Sequence, residues 1–217
     1  MKRKGFWVAS GLLIIPVIVF YVLNTGIQNF KKLPILGERI APDGLHQKDT
    51  LFYSIPDFHV SDQTGKVVTQ ADFNNKIYVA NFFFTRCKEV CPTMNRRLSM
   101  VYEKYKEFIE VKFISFSVDP ENDSTPVLNN YSKKYKADPK IWHFVNGNMD
   151  SIINIAQGFL LPVSIENKTI DHSQQLILVD KQNRIRGIYD SSSEAEVLQL
   201  EDDLKVLLYE YHNPRSG

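Results

Sequence analysis

Cysteine is nearly missing from this chain: two residues, Cys87 and Cys91, stand among 217. A structural zinc site usually takes four ligands, and no second Cys or Cys/His pair accompanies these two. Excess charge is equally scarce. The formal net charge is +1, from 26 Lys and Arg against 25 Asp and Glu, so no global field draws the chain to nucleic acid. Without Lys2, Arg3 and Lys4 that +1 falls to −2, so the basicity sits at the extreme N-terminus. Internal repeats and low-complexity tracts are also lacking. What is there, 43% hydrophobic and 24% charged residues, is an ordinary globular composition with room for one good-sized core.

The apolar stretch from Phe6 to Leu23 (FWVASGLLIIPVIVFYVL) carries no charge. At ~1.5 Å per residue it can just cross a hydrocarbon core of roughly 30 Å. The competing reading, a cleaved signal peptide, calls for small residues before the cut, and Tyr21 to Thr25 carries no A-x-A pattern. No cysteine lies nearby to take a lipid. The basic cluster on the short side predicts an N-terminus in the cytoplasm and a body outside, an asymmetry that Lys31 and Lys32 weaken without reversing. Nothing resembles an Arg- and Ser-rich transit peptide. The expectation is therefore a single-pass protein of a bacterial inner (cytoplasmic) membrane: residues 1–5 cytoplasmic, 6–23 anchor, 24–50 stem, 51–212 an extracytoplasmic globular domain, 213–217 tail.

Within that domain, Ile55–Val60 and Lys66–Thr69 flank the turn signal Asp62-Gln-Thr-Gly65 and predict a β-hairpin. The apolar run from Ile77 has the composition of a buried parallel strand. It turns at Thr85-Arg86, delivers both cysteines and leads into a helical pattern extending to about Phe108. Val111–Val118 predicts a second strand, Ser124-Thr-Pro126 the opening of a helix, Trp142–Val145 a short strand, and Asn148–Phe159 a helix. Gln175–Asp180 and Arg184–Tyr189 form an antiparallel pair, and Ser193 to about Tyr209 a final helix. Strands alternating with helices, then a hairpin and a helix, predict an α/β fold: a central mixed sheet with helices on both faces.

In Cys87-Lys-Glu-Val-Cys91, helical spacing would put the two Cβ atoms ~6 Å apart on one face, near the upper range for a disulfide. A helix N-terminus favours thiolate over thiol. A stabilising disulfide closing so small a ring gains only ~2 kcal/mol in the loop-entropy model. Two functional readings stay open, a dithiol that exchanges electrons with other disulfides, and a soft-ion site for Cu(I) that an imidazole would complete and make tolerant of Cu(II). Of the five histidines, His46 and His212 fall in stem and terminus, and His59 and His143 lie inside strand patterns as core or edge residues. His172, in the polar segment Thr169–Gln175 just before a strand, is the candidate third ligand. Asp119, following the Val111 strand, is a candidate to orient a ligand or tune thiol acidity, or else a turn residue.

Thr85, Cys87, Cys91 and Pro92, then Ser117-Val-Asp-Pro-Glu121 with Asp123-Ser-Thr-Pro126, then Asp171-His172-Ser173 before a strand ending Leu178-Val-Asp180, resemble the Sco/SenC family of copper chaperones. Three separated motifs occur in order, and the resemblance covers Pro56 to about Leu208. It implies a thioredoxin-like fold, copper as Cu(I) or Cu(II) on Cys87, Cys91 and His172, and Asp119 near the site. It also implies assistance to the CuA centre of cytochrome c oxidase, by copper delivery, by thiol reduction of the target, or both. The implied partners are the oxidase's copper-bearing subunit, a copper donor and a thiol reductant. A thiol–disulfide oxidoreductase that reduces a copper protein's cysteines is the alternative. One departure stands out: many relatives have Pro after the first cysteine, and this chain has Lys88.

Overall fold

The computed structural model describes residues 14–15, 32–37, 52–164, 169–170 and 174–213, with backbone alone for 164 and 169–170. The chain divides into two compact units, Met1–Lys31 and Lys32–Gly217. Of the expected anchor only Ile14 and Ile15 are described, both helical, and among the described residues no helix is long and apolar enough to cross a membrane.

The larger unit is built on a seven-stranded mixed sheet. Its strands are β1 (His59–Asp62), β2 (Val67–Thr69), β3 (Ile77–Phe83), β4 (Val111–Ser117), β5 (Trp142–Asn146), β8 (Gln175–Val179) and β9 (Ile185–Asp190), in the order β2-β1-β5-β4-β3-β8-β9. The strands β3, β4 and β5 run parallel, and every other pairing is antiparallel. Between them lie the helices α1 (Val90–Tyr105), α2 (Thr125–Lys133) and α3 (Met149–Gly158) and a 3₁₀ turn at Gln70–Phe73, and the helix α4 (Glu194–His212) follows the last strand. A separate two-stranded ribbon, β6 (Val163–Ser164) with β7 (Thr169–Ile170), precedes β8. Strands this short carry no periodicity, so the sequence does not announce them.

Every residue of β3 is buried, as its largely apolar run predicts for a strand covered on both faces. Alternation then divides its side chains. Ile77, Val79 and Phe83 join Leu98 of α1, Leu128 of α2 and Leu204 of α4 in one core, and Tyr78, Ala80 and Phe82 join Ile152 and Ala156 of α3 in the other. A one-residue slip of β3 would exchange the two sets, so the two cores pin its register. That register pairs Phe83 with Ser117, and both strands run out at the same end of the sheet. Capping fits the sequence signals: Asn148 accepts from Ser151 at the start of α3, and Ser193 from Glu196 at the start of α4.

Leu33 to Leu36, inside the segment expected to be stem, pack against β9. Leu36 N–H donates to Ile185 O (2.8 Å), and the buried Arg186 guanidinium donates to the carbonyls of Leu33 (2.8 Å) and Pro34 (3.1 Å). The same guanidinium pairs with Asp180 and Glu210, so it is a charge-satisfied clamp.

Candidate dithiol site

The cysteine corner forms where β3 ends and α1 begins. A turn at Phe84–Cys87 is closed by Cys87 N–H donating to Phe84 O (3.3 Å). Helix α1 starts at Val90 and its N-cap residue, Glu89, makes no side-chain capping bond. A sulfur takes that place: Cys91 N–H donates to Cys87 Sγ at 3.2 Å. Pro92, in the first turn, has no N–H to satisfy. The helical spacing expected of the pair therefore holds for only one member. Cys91 lies in α1, and Cys87 sits ahead of it, because its sulfur serves the helix start from outside.

The two thiols are unlinked and unlike. Cys87 is partly exposed and Cys91 is 3% exposed. Burial works against ionisation of Cys87, but the backbone amide and side chain of Cys91 and the amides of Glu89 and Val90 outweigh it and hold this thiol below its ordinary range. Cys91 is pushed up to about 12, first by burial and then by the thiolate of Cys87 and the charge of Asp123, which the Phe84 amide only partly offsets. Cys87 is thus the sulfur that ionises and meets solvent, and Cys91 the one held in reserve.

The loop after β4 emerges beside this corner, as expected of its carboxylates. Asp119 accepts from Arg86 Nε (2.9 Å) in an ion pair with that guanidinium, and from Asn122 Nδ2 (2.8 Å). It therefore braces the residue preceding Cys87. Sequence reasoning placed Asp123 in the same segment but assigned a role only to Asp119, and it is Asp123 that is fully buried. Asp123 accepts from the Thr85 backbone (3.1 Å), the Thr85 hydroxyl and the Ser117 hydroxyl (2.6 Å). It ties the cysteine loop to the end of β4. The available signal was Thr85 two residues before Cys87, a hydroxyl in need of a buried acceptor.

His172, the proposed third ligand, lies outside the described residues. Among those described, no group of three His, Cys, Asp or Glu is placed to hold a metal. His143 is buried against Asp62 (3.4 Å), as a core histidine, whereas His59 and His212 are exposed. His212 contacts Glu110 at 2.9 Å. Of the segment's surroundings, β8 is described: its register Ala80↔Ile177 beside β3 sets its first residue, Gln175, alongside the end of β3 that leads into the cysteine loop.

Comparison with known proteins follows the same geometry. The sequence pattern of the SCO1/SenC family matches residues 47–206. An SCO1 protein homolog of Bacillus subtilis is 36% identical over 114 residues, 52% of this chain and 59% of that protein, so the match spans less than two thirds of the relative. Among solved structures, a SCO1/SenC family lipoprotein from Bacillus anthracis superposes with a TM-score of 0.64 at 28% identity, covering 72% of this chain and 95% of that one. BsSco, described as a cytochrome c oxidase assembly protein with a disulfide switch, superposes with a TM-score of 0.62 at 29% identity over 70% and 92%. ScoI of Bradyrhizobium japonicum, determined with copper bound, gives 0.57 at 26% identity over 70% and 98%.

Proposed function

This chain belongs to the SCO1/SenC family, and on that premise we propose that it is a membrane-anchored copper-binding metallochaperone assisting assembly of the CuA centre of cytochrome c oxidase. Copper is cargo here. The residues that would take it are the sulfurs of Cys87 and Cys91 and the imidazole of His172, a donor set suited to a soft ion. The observation that carries the reading is the corner itself: two unlinked sulfurs at one strand-to-helix turn, one of them already receiving an amide hydrogen bond. The start of β8 beside the end of β3 supports the inclusion of His172, because the chain reaches Gln175 from that segment. The copper in ScoI and the oxidase-assembly role of BsSco support the cargo and the partner. Copper donor and thiol reductant proteins complete the partner set, since both sulfurs must be reduced before they bind metal.

For anchoring, residues 6–23 are the proposed inner-membrane span, with 51–212 as the working domain outside. The lipoprotein character of the Bacillus anthracis relative supports a domain held at a membrane.

The unlike thiols favour one second reading. An accessible, acidic Cys87 with a buried Cys91 is the arrangement of an attacking and a resolving thiol, so the chain could act as a thiol–disulfide oxidoreductase on a copper protein's cysteines. Titrating the reduced protein with Cu(I) against a competing chelator separates the two. One equivalent held tightly, with affinity lost in His172→Ala, is the expected result. Unchanged affinity in that variant removes His172 from the site, and rapid disulfide exchange indifferent to it supports the oxidoreductase.

A further inference from the structure

Five polar side chains buried in the core form one connected chain that reaches the cluster holding Cys91. It begins at Trp142, whose Nε1–H donates to Ser115 Oγ (2.9 Å). Ser115 donates to Asn81 Oδ1 (2.6 Å), Asn81 Nδ2 to Asn95 Oδ1 (2.8 Å), and Asn95 Nδ2 to Tyr131 OH (3.2 Å). Tyr131 and Tyr135 share a further hydroxyl–hydroxyl bond of 3.2 Å. Trp142, Ser115, Asn81 and Asn95 have no exposed surface and Tyr131 only 3%. The bonds from Trp142 to Tyr131 donate in one direction, from β5 through β4, β3 and α1 to α2, and aligned hydrogen bonds strengthen one another.

A count of hydrogens shows what the chain leaves over. Each tyrosine hydroxyl carries one hydrogen. One lies between the two oxygens, and the other has no acceptor among the described residues, whichever hydroxyl donates to the other. The dithiol shares that part of the core, and the charge of Cys91 acts on both hydroxyls. Cys91 shares a buried cluster with Tyr131, with Cys87 and Tyr135 packed on its margin, and Cys91 stands four residues before Asn95 on one face of α1. Burial raises the pKa of both hydroxyls and the charge of Cys91 raises each further, so both stay protonated and able to donate.

We propose that the Tyr131–Tyr135 hydroxyl pair, fed by the Trp142–Ser115–Asn81–Asn95 chain, donates its uncommitted hydrogen to the Cys91 sulfur whenever that sulfur carries negative charge. These are positioning residues that act through Cys91. Two states of the protein supply the charge. One is a metal-bound thiolate, which rests on the copper reading above. The other needs no metal: during reduction of a Cys87–Cys91 disulfide by glutathione, the glutathione thiolate attacks the more accessible Cys87 Sγ. A glutathione–Cys87 S–S bond forms as the Cys87–Cys91 bond breaks. The electron pair leaves on Cys91 Sγ, which takes the tyrosine hydrogen bond and later a proton from water.

The test is the rate of that first step in the oxidised full chain, followed by stopped-flow with excess glutathione, for wild type and Tyr131→Phe/Tyr135→Phe. Loss of one hydrogen bond to the leaving sulfur slows it about fivefold. Iodoacetamide labelling of Cys87 in the reduced protein stays within about twofold, which a general loosening of the corner would not allow. A reduction rate within twofold of wild type overturns the proposal. Should the double variant fail to fold, Tyr131→Phe, which keeps the 5.1 Å stack on Phe83, and Tyr135→Phe are measured singly, and a rate within twofold of wild type in both overturns the proposal. The copper arm is read separately: the variant's Cu(I) affinity falls about fivefold by chelator competition, by the same lost bond. A wild type that binds no copper sinks the chaperone reading and leaves the rate test standing.

Discussion

Replacing Asp123 with alanine tests whether the cysteine loop is held by a buried carboxylate rather than by its own turn. The side chain accepts from the Thr85 amide, the Thr85 hydroxyl and the Ser117 hydroxyl, with no surface exposed to water. Truncation leaves three donors without their acceptor. The backbone amide cannot turn elsewhere, and stranding such a buried donor costs ~1–3 kcal/mol. The two hydroxyls can rotate: Ser117 Oγ keeps the Asp119 amide as a donor to it (3.1 Å) but loses its own acceptor. Together the loss comes to roughly 2–4 kcal/mol, less than three full penalties because water can enter a polar cavity of this size. For a unit of this length that is a fall in Tm of about 4–16 °C. Urea melts give the free energy, and amide exchange at Thr85 gives the location. The variant should exchange Thr85 N–H at least tenfold faster than the global loss alone accounts for, whereas the buried Ile77–Asn81 amides should lose protection only by the global amount. A loss below about 0.5 kcal/mol with Thr85 still protected would refute the reasoning, because the loop would then be held by something other than Asp123.

Two further outcomes follow from the same geometry. Limiting iodoacetamide should label Cys87 ahead of Cys91 by more than about tenfold at neutral pH, since the first thiol is held below its ordinary range and the second is raised to about 12; equal labelling by peptide mass mapping would show the two sulfurs to be equivalent. His143 gives a pH dependence of stability: burial, then the charge of Lys112, depress its folded pKa below 6.5, and the contact with Asp62 only partly opposes them. Below pH 6.5 the unfolded chain therefore binds a proton that the folded one refuses, and stability falls from there down to the folded pKa. His143→Gln should flatten that stretch of the urea-melt profile, and an unchanged slope would place the titration elsewhere.

The sequence was most legible where structure is local. The apolar run at Ile77, the helix starts at Asn148 and Ser193 and the Gly65 turn all lie where expected, because strand burial, helix starts and turns depend on neighbours within a few residues. Helix α1 ends at Tyr105 rather than about Phe108, since the chain there turns into β4 through a Phe108 N–H to Tyr105 bond. The ribbon β6–β7 escaped notice because two-residue strands have no period to read. Asn81 carried a signal of a kind, a polar residue inside an apolar run, but its partners and those of Asn95 are 14 to 36 residues away and no local rule pairs them.

By itself the sequence determined the strand-to-helix corner, its two cysteines and the family, because those reside in contiguous spacing and in motifs that occur in order. Only the tertiary structure decided that the two sulfurs differ, since the difference comes from which one the α1 amides reach and which one the core covers. It also decided that Asp123, rather than Asp119, is the carboxylate buried against the loop: the choice depends on how β4 lies beside β3, a contact across 38 residues that spacing along the chain does not encode.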